Sequence, residues 1–137
     1  MKIDEFKALQ EKQKTRRRPR HIESIIQKDC VRWFRGTYDK YLILSIPNGG
    51  ARSRVEAAIL IGEGALAGAS DLMVVAERAV LFVEVKKDKG KQQESQKIFQ
   101  ANVERLGHPY CIIHSLQEFQ LTIERWLKEI SMVKFKD

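Results

Sequence analysis

The chain of 137 residues, 43% hydrophobic and 31% charged, has the length of one globular domain and shows no shift in composition that would mark a second. Its longest apolar runs, such as Val80 to Val83, fall far short of the roughly 20 residues of a membrane-spanning helix, and no cleavable leader opens it, so a soluble, cytoplasmic protein is expected. The formal charge of +7 is unevenly spread: residues 1–20 hold eight Lys or Arg against three Asp or Glu, an excess of +5 that leaves +2 for the rest.

Residues 1–20 read as a basic arm, flexible or a short helix, since Ile3, Phe6 and Leu9 recur at helical spacing. Its densest part, Arg16, Arg17, Arg18 and Arg20, has no aromatic neighbour and suits contact with phosphates better than reading of bases. From Ile22 the apolar residues at 22, 25, 26, 30, 33 and 34 draw the stripe of an amphipathic helix that should end near Gly36. Tyr41 to Ile46 is a β-rich run closed by the turn Pro47-Asn48-Gly49-Gly50. Ser53 to Ile61 predicts a short helix with Val55, Ala58, Ile59 and, at its end, Gly62 as candidates for its inner side, and Gly62 to Ser70 a glycine-rich loop whose backbone can approach a neighbour closely.

Leu72 to Ala76 and Val80 to Val85 are two short apolar runs separated by Glu77-Arg78-Ala79, an antiparallel hairpin whose turn lacks the usual Gly or Asn. A charged loop, Lys87 to Lys91, leads into a helix from about Gln92 to Leu106 with Ile98, Phe99, Val103 and Leu106 inward, ended by Gly107 and Pro109. Tyr110 to Ile113 is a last strand, and Ser115 with Glu118 matches the capping box of a C-terminal helix through Phe119, Ile123, Trp126 and Leu127. The domain proper should span 21–130, with 131–137 as a tail. Helix, strand, short helix, two strands, helix, strand, helix is the order of an α/β domain with helices packed on a mixed sheet.

Several chemistries are disfavoured. Cys30 and Cys111 lie in apolar patterns without metal-ligand spacing, and His21, His108 and His114 share no spacing with each other, which argues against a zinc or histidine centre. Gly62 to Gly68 lacks the Gly-Lys-Ser/Thr ending of a phosphate-binding loop, which argues against a nucleotide triphosphatase.

One constellation does carry chemistry. Side chains alternate along a strand, so Val80, Phe82, Glu84 and Lys86 share a face. In an antiparallel hairpin the numbers of opposed residues sum to a constant, and a turn at Glu77 and Arg78 sets Asp71 opposite Glu84. Two carboxylates meeting there cannot both ionise cheaply unless a proton or cation lies between them. A hard divalent cation, Mg²⁺ with Mn²⁺ as substitute, resolves the conflict, and the main-chain carbonyl of Val85 offers a third oxygen. Lys86 would orient the attacking water and offset charge in a phosphoryl transition state.

The segment Gly68-Ala69-Ser70-Asp71 followed after a hairpin by Glu84-Val85-Lys86 resembles the PD-(D/E)xK nuclease signature, and more narrowly the VRR-NUC family, over roughly residues 21–113. That resemblance implies a restriction-endonuclease-like α/β core. It adds Glu23, on the first helix, as an acidic residue of the metal site, and Gln96 as a residue that helps hold the site together. It implies no organic cofactor, and a standalone enzyme of a bacterial or phage-infected cell that dimerises and cuts branched DNA such as four-way junctions. Ser70 departs from the wider pattern, where proline is common. Asn48, Arg52 and Arg54 are candidate DNA contacts, although turn chemistry alone accounts for Asn48. Two other readings remain open: a sequence-specific or nonspecific duplex nuclease with the same centre, and a non-catalytic nucleic-acid binder.

Overall fold

The computed structural model describes residues 3–47 and 53–133, the side chains of residues 6–20 excepted. The elements follow the order expected: α1 (Ile3–Thr37), β1 (Leu42–Ser45), α2 (Arg54–Gly62), β2 (Leu72–Ala76), β3 (Ala79–Val85), α3 (Glu94–Arg105), β4 (Tyr110–Ile113) and α4 (Leu116–Ser131). The sheet order is β1-β2-β3-β4. β1, β2 and β3 pair antiparallel and β4 runs parallel to β3, so the sheet is mixed. A parallel neighbour needs a crossover, and α3 supplies it.

β2 and β3 form a two-residue hairpin, with Ala76 opposite Ala79 and Leu72 opposite Val83. The turn works without Gly or Asn because Arg78 itself takes a left-handed backbone, φ +56°, a conformation that costs a non-glycine residue about 1 kcal/mol. Alternation then divides the sheet into two faces. On one, Ile43, Leu72, Val74, Leu81, Val83, Val85 and Ile113 pack against Cys30 and Phe34 of α1 and Phe119, Ile123 and Trp126 of α4. Trp33 joins at its margin, edge-on to Phe119 with ring centres 5.8 Å apart. On the other face a smaller cluster, Ala69, Phe99 and Val103, packs with Phe82 and Tyr110.

Helix ends follow their caps. Ser115 accepts a hydrogen bond from the Glu118 amide at 3.1 Å, and Glu118 accepts one from the His114 amide at 2.6 Å, one residue before the position a reciprocal box would use. α1 runs continuously from Ile3 to Thr37, so the backbone of most of the basic arm is helical and joined to the first domain helix. Cys30 and Cys111 are free thiols, both pushed up to about 12 by burial, which leaves them protonated and inert at neutral pH. No helix among the described residues is long and apolar enough to cross a membrane.

Three expected faces are corrected. The side of α2 expected to face inward is exposed: Val55 is 70% and Ile59 56% accessible, whereas Ala57 and Leu60 are half-buried. The helix is turned by about one position, because the segment that follows it doubles back, the Ala65 amide bonding to the Leu60 carbonyl at 2.8 Å. In α3, Phe99 and Val103 are buried but Ile98 and Leu106 are exposed, since α3 covers only the strip of sheet carrying Phe82 and Tyr110. In α1, Ile22 and Ile25 are exposed, and packing against the sheet begins at Ile26.

Candidate active site

The hairpin register carries one step outward from the Leu72–Val83 pair, which sets Asp71 opposite Glu84 on the α3 face of the sheet. The chain reaches Asp71 through a fixed approach. Gly68 has φ +81°, and a Cβ there would collide with the Ser95 carbonyl and lie 2.7 Å from the Gln96 nitrogen. The close approach expected of this glycine-rich loop is therefore to the first turn of α3. Ser70, where proline is common in the wider signature, is fully buried and donates its hydroxyl to the Leu72 carbonyl at 3.1 Å, closing the turn before Asp71. Asp71 in turn accepts the Val85 amide at Oδ2, 2.8 Å away, a bond that spans the end of the hairpin.

Glu84 is only 2% exposed. Its Oε1 accepts a hydrogen bond from Gln96 Nε2 at 3.2 Å, while Oε2 is buried and has no hydrogen-bond partner among the described residues. Burial pushes its carboxyl up to about 9, and a hydrogen-bonding contact and charge repulsion with Asp71 push the same way, with a smaller push from Glu23; Lys86 pulls it down. In the absence of a cation the raised Glu84 carboxyl favours its protonated form at neutral pH.

Gln96 is oriented from both ends. Its Oε1 accepts the Gln93 amide at 2.8 Å, which fixes the side-chain amide so that Nε2 points to Glu84. Glu23 reaches the same region from α1, on the other side of the sheet, by accepting the Lys87 amide at 3.2 Å just past the end of β3. The structure therefore brings Asp71, Glu84, Lys86, Glu23 and Gln96 to one end of the hairpin. Arg54 is exposed at the start of α2. Asn48 and Arg52, and the side chains of Arg16, Arg17, Arg18 and Arg20, lie outside the described residues.

Sequence reasoning missed a polar chain beside this cluster. Gln92 Nε2 donates to Gln100 Oε1 at 2.9 Å and to the Tyr110 hydroxyl at 3.2 Å. The Tyr110 phenol is raised to about 12, mainly by burial and with help from the charges of Glu84 and Asp71, against the Gln92 bond, which lowers it. The signal that could have found Tyr110 is its pairing with Phe82, which puts it on the face of Glu84. That pairing is parallel, and no turn fixes its register from sequence.

Neither a protein-family model nor a curated protein matches the chain. Two solved structures do. One, described as a VRR_NUC domain protein, superposes with a TM-score of 0.65 at 20% identity and covers 78% of this chain and 88% of its own. The chain has the VRR-NUC fold. A second, described as a VRR_NUC domain, gives a TM-score of 0.54 at 23% identity over 76% of this chain and 96% of its own. The VRR-NUC fold accounts for the mixed sheet flanked by helices, and it agrees with the resemblance drawn from Gly68-Ala69-Ser70-Asp71 and Glu84-Val85-Lys86.

Proposed function

We propose that this VRR-NUC-fold protein is a metal-dependent DNA endonuclease that hydrolyses phosphodiester bonds, acts on branched DNA and works as a homodimer. The observation that carries the hydrolytic reading is the Glu84 carboxylate, buried beside Asp71 with one oxygen lacking a hydrogen-bond partner among the described residues. Burying such a group unpaired costs several kcal/mol in principle, about 1–3 for the missing hydrogen bond alone, so a fold that keeps it favours a ligand for that oxygen.

The donor chemistry fits a hard cation: two carboxylates from neighbouring strand ends and no thiol or imidazole between them. Among the described residues no group of three or more His, Cys, Asp and Glu side chains could hold a metal ion. Asp71, Glu84 and the Val85 carbonyl would therefore hold Mg²⁺ or Mn²⁺ together with water, with Glu23 bordering the site. When bound, the ion supplies Lewis acidity to a phosphoryl oxygen and to water. The chain's own residues do the rest. Lys86 offsets charge on the phosphoryl oxygens and orients the attacking water. Gln96 holds Glu84 in its rotamer, and Glu23 fixes the strand end from which Lys86 projects.

A two-fold dimer would offer two such centres to two strands, which matches the symmetry of a four-way junction. The arginines at 16, 17, 18 and 20 and at 52 and 54, with Asn48, would supply backbone contacts. The test is cleavage of linear duplex, flap, fork and four-way junction DNA with Mg²⁺, Mn²⁺ or Ca²⁺. Glu84→Ala should fold and lose cleavage by about 10²–10³-fold or more, the loss typical when a group that stabilises transition-state charge is removed. A wild-type rate in Glu84→Ala would overturn the hydrolytic reading, and a preference for linear duplex would overturn the branched-DNA one.

A further inference from the structure

Directly after Lys86 the chain reads Lys87-Asp88-Lys89-Gly90-Lys91, so residues 86–91 carry four lysines against one aspartate. A run of lysines is ordinarily a solvated surface, free to take many conformations. This one is built. Its first amide, at Lys87, donates to Glu23 Oε1 at 3.2 Å, and the Gly90 amide closes a turn onto the Lys87 carbonyl at 2.9 Å. Its far end is tied down by Gln92, bonded at once to Gln100 and Tyr110.

Two further features set the loop against the site. Gly90 folds back on Lys86: a Cβ at Gly90 would lie 3.5 Å from Lys86 Cβ and 3.6 Å from Lys86 Cδ. Gly90 thus lies against the stem of Lys86, and its chain neighbours Lys89 and Lys91 are both exposed. Lys89 also holds φ +64°, a left-handed conformation in which glycine or asparagine would be the unstrained choice. A lysine there costs some stability relative to glycine, as Arg78 does in the β2–β3 turn. Among the described residues the ion pairs are Asp29–Arg32 and His114–Glu118, so neither Lys89 nor Lys91 is neutralised by a described carboxylate.

We propose that the pinned Lys87–Lys91 loop is a phosphate-binding site in which Lys89 and Lys91 grip the DNA backbone on either side of the phosphate presented to Asp71, Glu84 and Lys86. The inference rests on the nuclease reading for the identity of its ligand and extends it to residues outside the catalytic cluster. A loop whose backbone is held at both ends loses little backbone entropy on binding, and each lysine that meets a phosphate displaces a condensed counterion.

The experiment reads equilibrium binding of fluorescent duplex DNA by the full chain carrying Glu84→Ala, in Ca²⁺, across a range of NaCl concentrations. Lys89→Gly with Lys91→Ala should lower the slope of log K against log salt by about 2, and weaken binding on the order of tenfold or more at physiological salt. Lys89→Arg should retain the slope. Lys89→Gly alone should keep or raise the melting temperature, since glycine relieves the left-handed backbone, while still lowering the slope by about 1. An unchanged slope in the folded double variant would overturn the assignment. Binding is read without cutting, so a protein that never cleaves DNA would still show the lost slope, which separates this inference from the hydrolytic one.

Discussion

On the α1 and α4 side of the sheet, Phe34, Leu72, Val74, Val83, Ile113, Phe119 and Ile123 are fully buried, and the core cluster they form holds no charged side chain among the described residues. On the α3 side a much smaller apolar cluster, Ala69, Phe99 and Val103, stands next to a buried carboxylate, and two separate sets of side-chain amide bonds lie there, Gln96 to Glu84 and Gln92 to Gln100 and Tyr110. The same strands build both faces, so the difference lies in alternate residues: Leu81, Val83 and Val85 look one way, Phe82 and Glu84 the other. One face generates the free energy of folding, and the other consumes part of it to hold a largely buried acid.

The sharpest way to break that comparison is to remove one phenyl ring from each face. Phe34→Ala should cost about 4–5 kcal/mol and Phe99→Ala about 3, because Phe34 is wholly enclosed whereas Phe99 lies in the smaller cluster at its edge. Urea unfolding measures both. Phe34→Ala, assayed well below its melting temperature, should keep its activity per folded molecule, and Phe99→Ala should not, since α3 carries Gln96. Equal losses of stability and of activity would mean that the two faces do not divide the work.

Gly68→Ala sharpens the same point from the loop. Its Cβ would meet the Ser95 backbone, which has no flexible end to yield, so the first turn of α3 must shift. Overpacking of this kind costs about 1–3 kcal/mol. The left-handed φ of +81° adds to the cost. The larger readout should be catalytic: with Gln96 displaced, Glu84 loses the hydrogen bond that orients its Oε1, and cleavage should fall further than stability predicts.

Glu84→Gln turns the active-site cost into a measurable gain. Glu84 is raised from 4.5 to about 9, so between these values the native state binds a proton that the unfolded chain has released. The contribution to stability is complete below pH 4.5 and is lost as pH climbs toward 9. Metal-free wild type should therefore weaken across that window. Glu84→Gln, neutral throughout and able to donate to Asp71, should flatten the profile and be about 1–3 kcal/mol more stable at pH 8, while inactive. Thermal melts in EDTA across pH check this, and a profile identical to wild type would remove the buried acid as the source.

Much of this division was legible in the sequence, and the illegible part has definite causes. The hairpin was readable because a short turn fixes an antiparallel register by arithmetic, which put Asp71 against Glu84 before any coordinates. α1 and α4 were readable because each has a wide apolar stripe facing a large core. Gln96 looked like one glutamine among several, and nothing in the chain says that its amide is clamped by Gln93 toward Glu84. Tyr110 was missed because a parallel strand's register is set by tertiary packing. The inward side of α2 was misjudged because nine residues give too few turns to fix the phase of a helix that buries none of its side chains.

That last element supplies the smallest expected effect. Ile59 was read as core from its spacing with Val55, yet it is 56% exposed, and α2 as a whole has no buried residue. An isoleucine with most of its surface already in water gives up little when it is replaced by a polar residue. Ile59→Ser should therefore change stability by less than about 0.5 kcal/mol, the range of ordinary surface substitutions. Ile26→Ser, at a position packed against the main core, should cost several times more. A loss at Ile59 as large as at Ile26, measured at low protein concentration, would show α2 to be part of the folding core. A loss that appears only as protein concentration rises would instead mark the exposed side of α2 as buried between copies of the chain, since association stabilises by mass action.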